Sequence, residues 1–313
     1  MQFPFQLKDQ TDFDVLGFGT NAVDFLIQVP HYPEYNSKVE LTRYDQMAGG
    51  EVASTTAGLQ RLGLRTAYAG RFGTDSAGDY GLRSLREEGV DLAYAEQIDG
   101  AKTQIAFIVI DERSGERTVI WQRDAKLAYT AGDAPLDGVL RAKLLHITPH
   151  DVQACIAMAK RAREAGVIVS VDIDNLFEGV QELLSYVDVF VASADFPKKL
   201  FGTANSREAL REIKSMFGCG IVGVTLGEAG SLLLCGDEFV ETPGFAVPGG
   251  CKDTTGAGDA FRVGLLYGLV RGESVEDSAR MANAVAALKC RAVGARTSLP
   301  KVDELAALLA STA

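Results

Sequence analysis

Residues 253–261 read Asp-Thr-Thr-Gly-Ala-Gly-Asp-Ala-Phe and run directly into an apolar stretch, AFRVGLLYGLV, with helical periodicity. Glycines just ahead of a helix let a ligand approach the backbone, and the free N–H groups of a helix N-terminus attract anions. Gly256, Ala257 and Gly258 could therefore hold a phosphate or a developing phosphoryl charge. Asp259 is out of place in an anion site, because a carboxylate repels phosphate. It makes sense there if it takes the proton of an attacking hydroxyl. The alternative is an aspartate capping the first turn, with glycines for close packing. On this segment alone the two readings weigh equally.

The elements around the segment predict an α/β fold. DFDVLGFGT (12–20) is a first strand, EVASTTAGLQRLG (51–63) a helix stopped by Gly63, RTAYAGRFG a strand and SAGDYGLRSLREEGV a helix closed by Gly89. Later, KLLHIT, VIVSVDI, VDVFVA and GIVGVTLG are strands that alternate with helices of about ten to sixteen residues, as a mostly parallel sheet covered on both faces requires. SLLLCGDEFVETP reads as a hairpin, and a Ser274–Asp277 box caps the helix that follows the glycine segment. Two regions break the rhythm. AVDFLIQVP with SKVELTRY, and the hairpin TQIAFIVIDERSGERTVIWQR around an Arg113-Ser114-Gly115 turn, are strands without helices between them. They predict a small separate sheet from segments 22–46 and 101–125, the alternative being extra antiparallel edge strands of the main sheet.

A length of 313 residues suits one large domain, taken here as residues 1–313, and 47% hydrophobic with 23% charged residues is ordinary for a globular protein. A net charge of −11 leaves no basic stripe for nucleic acid. Five scattered cysteines without a CxxC pair, no secretory leader and no apolar run long enough for a bilayer suggest a cytoplasmic protein with no membrane partner.

Other stretches gain meaning in company. MAGGEVASTTAGLQRLG carries Gly49-Gly50 before a helix, GTNAVDFLIQVP places Asp24 after the first strand, and GTDSAG puts Asp75 where it can cap the next helix. VTLGEAG sets Thr225 and Gly227 at a strand end, and VGARTSLP lies near the C-terminus. In this order and at these distances they resemble the PfkB, or ribokinase-like, family of sugar kinases, ketohexokinase-like members included. The resemblance covers residues 12–300, and DTTGAGDAF is its most specific element. It implies a ribokinase-like fold whose small sheet is a lid that closes over a sugar and often pairs two chains into a homodimer. It implies transfer of the γ-phosphoryl of ATP, with Mg²⁺, to a hydroxymethyl group. Asp259 is then the general base and Gly256, Ala257 and Gly258 the anion hole. Asp24, Gly49 and Gly50 bind substrate hydroxyls, and Thr225 and Gly227 lie near the ATP phosphates. Asn283 and Gly294 border the adenine pocket, while Asp253, Thr255 and Ser298 match a region that often binds K⁺.

Two positions depart from the family pattern. Ser54 stands where an Asn usually reads a sugar hydroxyl, and Ser193 and Phe196 replace the Asn and Glu of an Asn-x-x-Glu motif tied to magnesium. The magnesium partner is then unassigned: Asp195 or Glu228 serves, or the ion is held mainly by phosphates and water. Arg123 is either a solvated surface residue or a ligand for a phosphate already on a sugar. His150 and Asp151 face the cleft, with Asp151 equally able to cap a helix, and Cys251 is either near the nucleotide or a small buried hydrophobe. The rival readings are a nucleoside kinase or phosphosugar kinase on the same fold, and a non-catalytic sugar- or nucleotide-binding protein. A dinucleotide-binding dehydrogenase is set aside, since GFGTNA lacks the third glycine and the following βαβ unit.

Overall fold

A computed structural model describes residues 1–311 apart from Gly115 and Ala204. The N-terminal half contains β1 (Phe13–Phe18), β2 (Ala22–Val29), β3 (Arg43–Gly49), α1 (Glu51–Arg61), β4 (Thr66–Gly73), α2 (Ser76–Glu87), β5 (Asp91–Ile98), β6 (Ile105–Asp111), β7 (Arg117–Gln122) and α3 (Leu136–Leu140). It continues with β8 (Ala142–Ile147), α4 (Val152–Glu164), β9 (Ile168–Ile173), α5 (Val180–Leu184), β10 (Val189–Ser193), α6 (Asp195–Phe201) and α7 (Ser206–Phe217). The C-terminal part holds β11 (Ile221–Thr225), β12 (Ser231–Cys235), β13 (Glu238–Thr242), α8 (Ala257–Arg271), α9 (Val275–Lys289) and α10 (Val302–Ala310).

Nine strands form one sheet in the order β13-β12-β11-β10-β9-β8-β1-β4-β5. The pairs from β11 to β5 are parallel, and β12 and β13 complete one edge as an antiparallel hairpin. Its central strands, such as β1 and β9, are buried on both faces, so they read as continuous apolar runs. One core layer packs residues of α4, α5 and α7 against the sheet, and the other packs α1, α8, α9 and α10. The order reverses at β1, which lies between β4 and β8, and ligands of such sheets bind beyond the strand ends at this kind of crevice. The ribokinase-like α/β fold expected from the sequence is the one observed.

The irregular segments form a separate four-stranded sheet, β3-β2-β6-β7, which excludes the edge-strand alternative. One boundary is corrected: SKVELTRY is not a strand along its length. β3 begins at Arg43 and runs through Gly49, because it pairs antiparallel with β2 from Gln28 opposite Arg43 to Ala22 opposite Gly49. Residues 33–42 are loop, with Asn36 at φ 61°. The hairpin of β6 and β7 is antiparallel as expected, and Gly115 of its turn lies outside the described residues. Asp75 caps α2 by accepting the Gly78 N–H at 2.9 Å, and Ser274 caps α9 by accepting the Asp277 N–H at 3.0 Å. Strand β5 escaped the sequence reading because DLAYAEQI is an edge strand with no fully buried residue and charged or amide side chains among its apolar ones. On one face of the small sheet the Phe25 ring stacks on Phe107 at 5.3 Å and on Tyr44 at 6.1 Å, with Ile120 beside Phe107.

Candidate active site

The first turn of α8 is shaped by glycine. Gly256 precedes the helix at φ 74°, and a Cβ on it would lie 2.9 Å from Ala295 Cβ, so both strain and lack of room exclude a side chain. No side chain caps this helix. The Ala257 N–H bonds back to Thr254 O at 3.1 Å and closes the turn, so it does not face a ligand as the sequence suggested. The next two N–H groups, those of Gly258 and Asp259, have no carbonyl partner within the helix, as is usual for the first turn of a helix. They adjoin a cavity of about 570 Å³, lined by Thr225, Gly227, Glu228, Ala257, Gly258 and Asn283 among others.

Asp259 is not a cap. Its carboxyl hydrogen-bonds that of Asp172 on β9. Arg262, one helical turn further on, brings Nη2 to 2.6 Å from Asp172 Oδ1 and donates to Val191 O at 2.7 Å. Burial raises Asp259 well above the usual carboxylate range and the Asp172 charge raises it further, against the opposing pull of Arg262. Asp172 is also raised by burial, while Arg262 and the hydrogen bond from Asp259 pull it down. The shared proton belongs on Asp259, because the ion pair with Arg262 holds Asp172 charged. Glu51, the first residue of α1, extends the cluster: burial and the charges of Asp172, Asp259 and Asp174 lift its carboxyl well above normal. It accepts from Thr20 Oγ1 at 3.3 Å and lies 3.8 Å from His150 Nδ1.

Beneath the small sheet, Asp24 is buried on β2, and burial raises its carboxyl to about 6 despite the Arg296 charge. Gly49 is needed there, since a Cβ would fall 2.1 Å from Asp24 Oδ2. Gly50 turns the chain into α1 at φ 86°. Ser54 is buried, and its Oγ accepts from Arg296 Nε at 3.1 Å. The same guanidinium donates to Ser84 Oγ at 3.2 Å and to Gly49 O. Arg296 thus fastens the C-terminal turn beneath the Gly49-Gly50 step.

Thr225, Gly227 and Asn283 line the cavity, and the Asn283 amide is occupied by Ser231 Oγ at 3.0 Å and Ala279 O at 3.1 Å. Gly294 does not line it: its N–H donates to Asp253 Oδ2 at 2.8 Å, and Met47 packs on it. Cys251 is exposed and lines the cavity, so it is not a buried hydrophobe. Arg123 is neither solvated nor free for a phosphate, because Asp151 holds it through two bonds of 2.7 and 2.9 Å. For the same reason Asp151 caps nothing. His150 is held between Glu51 and the Phe177 ring. Phe196 is fully buried against Phe190, so that position is core, while Ser193, Asp195 and Glu228 are exposed. Among the described residues no group of three or more His, Cys, Asp or Glu side chains is arranged to hold a metal ion.

Two of the three residues matched to potassium, Asp253 and Ser298, are engaged within the chain. Asp253 accepts the Thr255 and Gly294 N–H groups, each at 2.8 Å, and the Ser298 hydroxyl donates to Lys289 O. Lys289 is fully buried and donates from Nζ to Asp253 O at 2.8 Å, with Asp253 Oδ2 at 3.8 Å. A cation is already in place.

Asp172, Arg262, Lys289 and Arg296 were missed in the sequence. Three of them carried a signal: a charge inside an apolar run, as in AFRVGLL, AALKC and IVSVDI, must find a partner when the run is buried. Arg296 carried none, since it lies in a turn.

Residues 15–302 match the sequence profile of the pfkB family carbohydrate kinases. The chain is 26% identical over 304 residues to a nucleoside kinase of Methanothermobacter thermautotrophicus, covering 94% of each chain. It is 29% identical over 297 residues to an ATP-dependent ribose-1-phosphate kinase of Halopiger xanaduensis, covering 94% of this chain and 97% of the other. Its fold superimposes on Arabidopsis thaliana ribokinase complexed with ribose and ATP with a TM-score of 0.84 at 24% identity, covering 95% of this chain and 98% of that one.

Proposed function

Because this chain belongs to the pfkB family of carbohydrate kinases and is a phosphotransferase with an alcohol group as acceptor, we propose that it transfers the γ-phosphoryl of ATP to a hydroxymethyl group of a neutral sugar or nucleoside. The observation that carries this reading is an uncapped helix N-terminus whose aspartate bonds another buried carboxyl beside a nucleotide-sized cavity. The nucleotide occupies the cavity with its phosphates toward Gly258, near Thr225 and Gly227. The acceptor lies between Asp24, under the small sheet, and Asp259. Asp259 takes the proton of the acceptor hydroxyl as its oxygen bonds the γ-phosphorus and ADP leaves, and the Gly258 and Asp259 N–H groups stabilise the charge on the transferring group. The charge held on Asp172 repels free phosphate, so the triphosphate would arrive with magnesium, which would neutralise phosphate charge, with Glu228 on the cavity wall available to its water shell. A neutral acceptor is favoured because the guanidinium groups near it are engaged, Arg123 by Asp151, Arg262 by Asp172 and Arg296 by Ser54, Ser84 and Gly49.

The test is ADP formation from MgATP over a panel of pentoses, hexoses, ketoses, nucleosides and their monophosphates. Turnover with a non-phosphorylated acceptor supports the reading. ATP binding without turnover on any acceptor points to the non-catalytic alternative, and turnover confined to monophosphates contradicts the neutral acceptor.

The small sheet acts in this reading as a lid that excludes water over the acceptor. Arg117 of β7 already reaches Thr254 Oγ1 at 2.8 Å, linking the sheet to the anion loop. The outer face, where Tyr44, Phe107 and Ile120 are exposed, is covered by a second copy. The double variant Phe107→Asp, Ile120→Asp is expected to halve the solution mass measured by light scattering. A wild-type chain of monomer mass contradicts the dimer.

A further inference from the structure

We infer that the ammonium of Lys289 is a built-in replacement for a monovalent cation, which makes the loop leading to the anion site independent of potassium. The loop 253–256 must deliver Gly256 in its left-handed turn, and Asp253 is its anchor. One carboxylate oxygen of Asp253 accepts the Thr255 N–H and the other the Gly294 N–H, each at 2.8 Å. These bonds organise the carboxylate but do not neutralise it. Lys289 supplies the countercharge from the last residue of α9, donating to Asp253 O at 2.8 Å with Oδ2 at 3.8 Å. Its side chain has no exposed surface, so the ammonium has no other home. Ser298, which the sequence matched to an ion, turns its hydroxyl to the Lys289 carbonyl and holds the end of α9 in place.

One carboxylate balances one buried cation. A potassium ion beside Lys289 would be a second positive charge out of water against the same Asp253, and removing an uncompensated charge from water costs several kcal/mol. The ion and the ammonium therefore exclude each other. An ion must be drawn from solution, whereas a lysine on the chain is always present, so the anion loop is formed at any potassium concentration. Lys289 touches neither substrate nor nucleotide here and is a positioning residue, acting through Asp253 on Gly256.

The activity part of the test rests on the kinase reading, whereas the melting curves need no acceptor and stand without it. Thermal unfolding and phosphotransfer are measured in KCl and in tetramethylammonium chloride at equal ionic strength. For the wild-type chain both are expected to be the same in the two salts. Lys289→Ala leaves the Asp253 carboxylate without its counterion, so it is expected to melt lower and turn over more slowly in tetramethylammonium, and to recover severalfold in activity and part of its melting temperature in KCl. Lys289→Met, which fills the space without charge, is expected to show no such rescue. A wild-type melting temperature that rises with potassium, or a folded Lys289→Ala protein indifferent to potassium, overturns the inference. If Lys289→Ala does not fold, the two wild-type melting curves decide alone.

Discussion

Asp259→Asn is expected to lower kcat by about 10²–10⁴-fold, the range a positioned general base contributes, while leaving ATP affinity nearly unchanged. The asparagine keeps the shape and, like the protonated Asp259 carboxyl it replaces, can still hydrogen-bond Asp172, so the fold is retained. What it cannot do is take the proton of the acceptor hydroxyl. Loss of kcat with ATP binding intact, read from steady-state rates and calorimetric titration of ATP, separates a missing base from a damaged nucleotide site. Full turnover in a folded Asp259→Asn protein removes the assignment.

Asp24→Asn is expected to act in opposite directions on activity and stability. Burial raises the Asp24 carboxyl from 3.8 to about 6. Between those values the folded chain holds the proton and the unfolded chain does not, so this residue makes stability fall as pH rises from about 4 to about 6. At pH 7 the ionised group then costs on the order of 3 kcal/mol, from about two pKa units at 1.36 kcal/mol each. The variant should melt higher than wild type at pH 7 and lose that advantage near pH 4. Acceptor hydroxyls that bonded the carboxylate lose a charge-assisted partner worth about 1.5–3 kcal/mol, so kcat/KM for the acceptor should drop by roughly 10–150-fold. Melting curves at the two pH values and acceptor kinetics at pH 7 check both halves. An unchanged kcat/KM places the acceptor elsewhere.

Segments with a strong local pattern were legible in the sequence. The parallel strands are continuous apolar runs, and α1, α2, α7 and α9 end at glycines or begin at serine, asparagine or aspartate caps, so their limits followed from composition. Strand β3 was displaced because its register is dictated by pairing with β2, a long-range constraint that SKVELTRY does not carry. Strand β5 and the short helices α3, α5 and α6 have too few periodic positions to stand out. The glycine turn and Asp259 could be named from one contiguous segment. Their partners could not: Asp172 lies 87 positions before Asp259 in the chain and reaches it only through the order of strands in the sheet. The bond of Ser54 to Arg296 could not be read locally, since the two are 242 residues apart. Potassium came with the family resemblance alone, and Lys289 was read as part of an ordinary helix.

The central claim is that Asp259 takes the acceptor's proton and that Asp172 sets its readiness to do so. The most direct test is the pH dependence of acceptor kcat/KM in wild type and in Asp172→Asn. A base must be ionised to act, so the wild-type rate should rise with pH along a limb lying above the ordinary aspartate range. Removing the Asp172 charge leaves Arg262 to Asp259 alone, lowers its pKa and should move that limb to lower pH. A limb that stays in place or moves upward in Asp172→Asn would contradict the account.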